Sequence, residues 1–398
     1  MDIKKIIGKI HLWLGIASGL VVFVLGLTGC IYAFEEEIKA LVYRGKLEVF
    51  AHGHIKPLFL SKNLQAAQEK LRDDLPISGI IVKNTPESSL IFKHYKGKED
   101  TEGIWFWDGI ASNLSVYVNP YTSEIIHVED TTFEFFNMVL WLHWSLLLKN
   151  DIGQPIVGVA TLVFIIMLIT GLVLWWPKNR AAKRQRVWFR WKRTTKWKRK
   201  NYDLHNILGF YSMFFALVVA LTGLVWAFDW FNSSVQWMVN GGETIEREKE
   251  EITSMKAPVA SDNPLDLAHS YLRSNHKQAK QYYFFLPQDS LSTITSVIAY
   301  EDITRNVSLK FDRYSGELLY TNGKWEDKSN GEKVRAYNYD IHTGAIGGLV
   351  GKTIAFFLSL FAASLPVTGF LIWYGRTFKK LGKRPKPRKG PVVLRKPA

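Results

Sequence analysis

Four stretches of this 398-residue chain, near 12–34, 156–176, 206–228 and 353–374, carry no charge over a length that crosses a hydrocarbon layer, about 20 residues. Such a run satisfies its own backbone in lipid only as a helix. The chain therefore reads as an α-helical membrane protein with a four-helix transmembrane bundle. The first run follows a short basic start, but it is too long for a signal core and lacks a small-x-small cleavage site before Glu35, so it reads as a retained span.

Charge orients the bundle. Segments 1–10, 177–204 and 375–398 hold 3, 12 and 10 Lys/Arg against only Asp2 and Asp203, a net +23. The whole chain is +15, which leaves −8 for everything else. Lys/Arg excess in short flanking segments marks the cytoplasmic face, so a multi-pass chain with both termini cytoplasmic is expected. Trp188, Trp191 and Trp197 interleave the basic run 178–200 as they would in a nucleic-acid patch. Its place between two spans favours topology and lipid headgroups instead, and no nucleic-acid partner is expected. The segmentation is 1–34 for the N-terminus and first span, 35–152 for a first outer domain, and 153–176 for the second span. A basic loop (177–204), the third span (205–228), a second outer domain (229–348), the fourth span (349–374) and a basic tail (375–398) follow. The single cysteine, Cys30, allows no internal disulfide, no c-type haem attachment and no thiolate cluster.

The two halves read as copies. "HLWLG" (11–15) returns as "HNILG" (205–209), and "LTGCIYAF" (27–34) as "LTGLVWAF" (221–228). "ITGLVLWW" (169–176) matches "VTGFLIWY" (367–374), and Tyr121 and Glu124 match Tyr314 and Glu317. This is the pattern of an internal duplication with a parallel repeat. Each outer segment reads as a small α+β domain. The first has an amphipathic helix at 61–73 and strands at 77–83, 89–95, 112–119 and 123–129. The second has a helix at 263–274 and strands at 281–287, 292–300, 305–312 and 316–321. Asn119-Pro120 and Arg313 to Gly316 read as hairpin turns. Domains this small are expected to pack on each other or on the membrane.

Of ten histidines, four fall at matching places. His11 and His205 stand at the cytoplasmic edge of spans one and three. His143 and His342 precede spans two and four at the outer edge. A duplicated bundle brings each pair to one depth, giving two sites of two imidazoles. Two facing imidazoles suit a haem iron held from both faces. Zinc wants more ligands, and copper stays open although no Cys or Met set accompanies it. The other six, His52, His54, His94, His127, His269 and His276, read as solvated. From His11 to Phe34 is ~35 Å of helix at ~1.5 Å per residue, so the two levels lie near opposite faces. No charged relay lies inside the spans, as an ion pump would need. Two redox centres at two depths imply electron transfer outward. The segment "FFNMVLWLHWSLLL" (135–148) either lies on the outer surface or dips back in. The approach to His342, "IHTGAIGGLVG", is Gly-rich, so the outer site reads as the shallower one.

The chain resembles the PepSY-associated transmembrane family. The resemblance rests on "HLWLGIASGLVVFVLGLTG", "LH" at 142–143, "ITGLVLWWP" before a basic loop, "HNILGFYSMFFALVVALTG" and "DIHTG" before the last span. It covers most of the chain and is weakest in the outer domains, which it implies are PepSY-like. It implies a bacterial inner-membrane oxidoreductase with two b-type haems per chain, on His11, His205, His143 and His342. It also implies a periplasmic ferric chelate, such as a ferric siderophore, that gives up its iron on reduction. Fe(II) fits hard oxygen donors less well than Fe(III), so one electron releases the metal. Trp105 and Trp107 in "EGIWFWDG", with Trp141 and Trp144 beside His143, are the candidate substrate residues; an aromatic belt at the interface explains them equally. Lys9, Arg199, Lys200 and Lys149 are candidate partners for haem propionates. No dinucleotide fingerprint occurs, so the electron donor is a quinol or a separate cytoplasmic reductase. The competing reading is a non-catalytic PepSY-type module that binds or regulates a periplasmic partner. A transporter on parallel repeats is the weakest alternative, since the spans carry neither charge nor breaks.

Overall fold

A computed structural model describes residues 3–50, 56–99, 101–245, 251–255, 263–300 and 306–378. His52, His54 and most of the basic tail lie outside the described residues. Four helices are long and apolar enough to cross a membrane, and the protein is a helical membrane protein. The first, α1 (Ile3–Tyr32), is followed by short helices α2 (Glu35–Val42) and α3 (Arg44–Leu47) and the amphipathic α4 (Leu60–Lys70). Strands β1 (Gly79–Lys83), β2 (Leu90–Gly97), β3 (Ile110–Val118) and β4 (Ile125–Asp130) form an antiparallel meander. Then come α5 (Phe135–Ser145), the second long helix α6 (Asn150–Trp175), α7 (Arg180–Arg186) and the third long helix α8 (Trp197–Ala227). The second half continues with α9 (Asp229–Val239), α10 (Pro264–Asn275), and strands β5 (Ala279–Phe285), β6 (Ile294–Tyr300), β7 (Val307–Phe311) and β8 (Leu318–Asn322). It ends on α11 (Asn330–Thr343) and the fourth long helix, α12 (Gly348–Thr377).

The long helices reach past the uncharged runs. α1 begins at Ile3 and α8 at Trp197. Lys and Arg are good helix formers, so the basic flanks continue the helix. His11 and His205 consequently stand at least two turns inside their helices rather than at the first turn. α1 and α12 cross closely at Gly26: a Cβ there would lie 2.7 Å from both Ala363 N and Ser359 O. Small residues permit such close backbone approach in lipid, where packing rather than water drives association.

The two meanders join edge to edge. β1 pairs antiparallel with β5 over five residue pairs, from Gly79 with Phe285 to Lys83 with Gln281. The result is one eight-stranded sheet in the order β4-β3-β2-β1-β5-β6-β7-β8. Pairing the two central edges removes two unpaired strands at once. One core serves both halves. Phe92, Val116, Tyr282, Phe284, Ile298 and Phe311 on the sheet pack against Leu60 and Ala67 of α4 and Ala268 and Leu272 of α10. The backbone N–H of Ser61 donates to Asp266 Oδ1 (2.9 Å), tying α4 to α10. The alternate face of β5, through Gln281 and Tyr283, turns to the membrane side and roofs a cavity.

Two histidines of the sheet region depart from the solvated reading. His94 is 1% exposed. Its Nδ1 lies 2.7 Å from Pro76 O and its Nε2 2.7 Å from Ser112 Oγ, so it is a hydrogen-bonded core residue. His269 of α10 lies edge-on to Tyr282 and Phe284, and its Nε2 has no partner among the described residues. Burial, reinforced by Arg273 and opposed by Asp266, pulls its pKa from 6.5 down to about 4. Between those values the unfolded chain takes up a proton that the folded chain refuses. Stability is therefore complete above about pH 6.5 and falls by roughly 3 kcal/mol as pH drops toward 4. Thermal unfolding at about pH 7.5 and pH 5 should show this loss, and His269→Phe should flatten it.

Candidate functional site

Each matched pair of histidines meets in space. On the basic-loop side, the rings of His11 (α1) and His205 (α8) stand 6.5 Å apart between centroids. On the sheet side, those of His143 (α5) and His342 (α11) stand 6.2 Å apart. Two imidazoles on one metal, each at about 2 Å, place their centroids roughly 6 Å apart. Either pair is thus spaced to clasp one ion. Among the described residues no group of three or more His, Cys, Asp or Glu converges on a common point, so each level offers two nitrogen ligands.

All four rings are held the same way. The Nδ1 of His11 lies 2.9 Å from Thr170 Oγ1, and that of His205 lies 2.9 Å from Thr368 Oγ1. His143 and His342 sit at 2.9 Å from Thr28 and Thr222 Oγ1. A hydroxyl has one proton to give. Each of these threonines gives it to a carbonyl of its own helix three or four residues back: Thr28 to Val24 (2.7 Å), Thr170 to Ile166 (2.8 Å), Thr222 to Val219 (2.8 Å) and Thr368 to Ser364 (2.8 Å). The threonine oxygen must then accept from Nδ1–H. That network assigns the tautomer and leaves the Nε2 lone pair of every ring available for a metal. The Nδ1 of His342 also lies 3.1 Å from Val219 O, and Leu25 and Leu365 offer His143 and His205 the matching carbonyls.

The glycine after each threonine faces the ring, in ordinary contact range at three of them and tight only at Gly369. A Cβ on Gly29, Gly171, Gly223 or Gly369 would stand 3.5, 3.4, 3.5 or 3.2 Å from Cε1 of His143, His11, His342 or His205. The four Thr-Gly pairs, which lie inside the repeated LTG, ITG and VTG segments, stand on one side of each imidazole. A second feature was in plain view: "NYDLH" (201–205) returns as "NYDIH" (338–342). Asn201 Nδ2 donates to Thr368 O and Asn338 Nδ2 to Thr222 O, each at 3.0 Å. Four residues before its histidine, each asparagine ties that helix to the backbone of the threonine orienting it.

Beside the sheet-side pair lies a cavity of about 1010 Å³, at the upper end for a small-molecule site. His143 and His342 line it, with small residues Gly26, Gly29, Ala220 and Gly223 from the bundle. Helix α5 places His143 against Thr28 of α1, so this segment dips into the bundle. The cavity reaches the sheet at Lys280, Tyr283 and Tyr300 and is flanked by Lys328, Arg335 and Tyr339.

Of the four tryptophans singled out, Trp144 lines this cavity. Trp105 and Trp107 stack on each other at 5.3 Å, and Trp141 stacks on Phe106 at 4.6 Å. The cations fare similarly. Lys149 Nζ is engaged by Thr101, at 2.8 Å from O and 2.6 Å from Oγ1. Arg199 pairs with Asp203 at 2.9 Å. The cavity's cations, Lys280, Lys328 and Arg335, come from the second outer segment and were not singled out, because nothing local marks which lysine or arginine a fold turns inward.

No curated protein matches the chain. The description of the PepSY-associated TM region matches residues 9–376, and the chain belongs to that family.

Proposed function

We propose that the protein is a di-haem reductase of the bacterial inner membrane that delivers single electrons to a periplasmic ferric chelate, such as a ferric siderophore. The observation that carries this reading is the pair of facing imidazole couples, each ring with its Nδ1 proton given to threonine and its Nε2 lone pair free. His11 with His205, and His143 with His342, would supply the axial nitrogens of one b-type haem each. A bis-imidazole haem supplies a one-electron centre when bound. The chain's own part is to orient the four rings, to exclude water from the bundle and to admit an acceptor beside the sheet-side level. On this reading the basic loop faces the cytoplasm, where a quinol or a reductase gives the electron, and the sheet faces the periplasm. The duplication of an ancestral half accounts for the equal design of the two levels.

The test is a visible spectrum of protein purified from haem-replete cells. Sharp reduced b-type bands and two haems per chain by pyridine haemochrome are expected, with anaerobic reoxidation by ferric chelates. A folded, colourless preparation would return the protein to the non-catalytic reading, in which the sheet engages a periplasmic partner.

A further inference from the structure

Counting back from the two sheet-side histidines shows how far the approach helices have diverged. Seven and three residues before His342, helix α11 carries Arg335 and Tyr339. At the same distances before His143, helix α5 carries Phe136 and Leu140. Phe136 is 2% exposed and belongs to the packed interior, whereas Arg335 lines the cavity with Tyr339. The cavity thus meets Leu140 and Trp144 on the α5 side and Glu332, Arg335 and Tyr339 on the α11 side. Seven residues are two turns, so Arg335 stands about 10 Å above His342 on the same helix face. The Arg335 guanidinium lies 5.8 Å from the ring of Trp226, and Trp226 meets His342 edge-on at 5.2 Å.

The environment of Arg335 is unusual for a cation. It makes no ion pair among the described residues, whereas Lys280, at the same cavity, lies 3.6 Å from Glu36. Burial pulls the guanidinium below its ordinary range, although Glu36 and Glu332 line the same cavity. An arginine stays charged even so, and a half-buried guanidinium with no ion pair among the described residues is a fork preset for a carboxylate.

We propose that Arg335 is the anion-binding residue of an acceptor site at the sheet end of the cavity, selecting ferric chelates that carry a carboxylate. The site rests on the reductase reading for its place beside an electron source, but its binding is measurable without any electron transfer. Tyr283 and Tyr300 on the sheet present rings and hydroxyls to the same space, while Lys280 is offset by Glu36 and Lys328 faces Glu332, which leaves Arg335 as the cation for an anion. A carboxylate could also come from a haem propionate, and the test separates the two sources.

Gallium(III) citrate, an anionic and redox-inert stand-in for ferric citrate, is titrated calorimetrically into full-length protein. A cationic gallium trihydroxamate serves as the comparison. Arg335→Gln is expected to weaken citrate-chelate binding about tenfold, with Arg335→Lys recovering only part of it and the trihydroxamate unaffected. The number of haems per chain and both midpoint potentials should stay as in the parent. Equal loss for both chelates overturns the proposal. So does unchanged chelate binding with a lost haem or a shifted sheet-side potential, which would assign Arg335 to a propionate. A parent protein that binds the citrate chelate through Arg335 yet takes up no haem would sink the reductase reading and leave the anion site standing.

Discussion

His143→Ala and His342→Ala are each expected to lose one of two haem equivalents and all ferric-chelate reduction, while the haem of His11 and His205 stays. The rings form two separate couples, at 6.2 and 6.5 Å, held by different threonines on different helices. Removing one imidazole leaves its partner without a second ligand at that level and does not touch the other. The threonines refine the expectation. Thr28→Val deprives the His143 Nδ1–H of its threonine acceptor, and loss of such a partner commonly costs 10–100-fold in metal affinity. Thr222→Val should act in the same way on His342, since each ring keeps only a backbone carbonyl, Leu25 for His143 and Val219 for His342. His127→Ala, on strand β4, is the control and should keep both haems. The readouts are haem stoichiometry, separate midpoint potentials and electron paramagnetic resonance of the oxidised protein. Full retention of haem in the alanine variants, or loss of both haems together, would refute the pairing.

The four spans were legible because length and lack of charge suffice to mark them. The strands fell within a few residues of their expected places because alternation is local. Even the hairpin at Arg313 to Gly316 was visible, and its cause is now explicit: Asp312 Oδ1 accepts from the backbone N–H of Tyr314 and Ser315, both at 2.8 Å. What escaped was non-local or hidden by composition. Nothing near Gly79–Lys83 announces that its partner is β5, some two hundred residues on. Helix α11 was unread because "NGEKVRAYNYDIHT" has no apolar stripe of its own; Ser329 and Glu332 nonetheless form a capping box that opens it. The histidine pairs were found through the repeat, but their threonine partners lie on other helices. Only the equal number of Thr-Gly pairs and matched histidines could have suggested the link. The repeated "NYD" before His205 and His342 is a direct signal that crosses the register in which the two halves of the sequence align.

Gly153→Ala and Gly351→Ala are expected to damage the sheet-side level as severely as loss of a ligand, although neither residue touches a histidine. A Cβ on Gly153 would overlap the carbonyl of Ser145, and one on Gly351 the carbonyl of Gly344. Each carbonyl ends the helix that carries the histidine two residues earlier. The packing is thus a pair of joints: α5 presses its end on the start of α6, and α11 presses its end on the start of α12. Neither obstacle is a flexible side chain. Ser145 is fully buried, and Gly344 is the left-handed cap of α11, with φ of 77°. Relief requires the histidine helix to move as a body, and overpacking of this kind costs about 1–3 kcal/mol. A shift of even an ångström at the joint carries His143 or His342 out of line with Thr28 or Thr222. Haem stoichiometry should therefore fall from two toward one, with a lower melting temperature, while the His11–His205 level keeps its haem. Gly45→Ala supplies the control, since a Cβ there meets nothing within 4 Å. If Gly153→Ala and Gly351→Ala keep both haems and melt with the parent, the joints do not set the imidazole geometry, and the rings must be placed by their threonines alone.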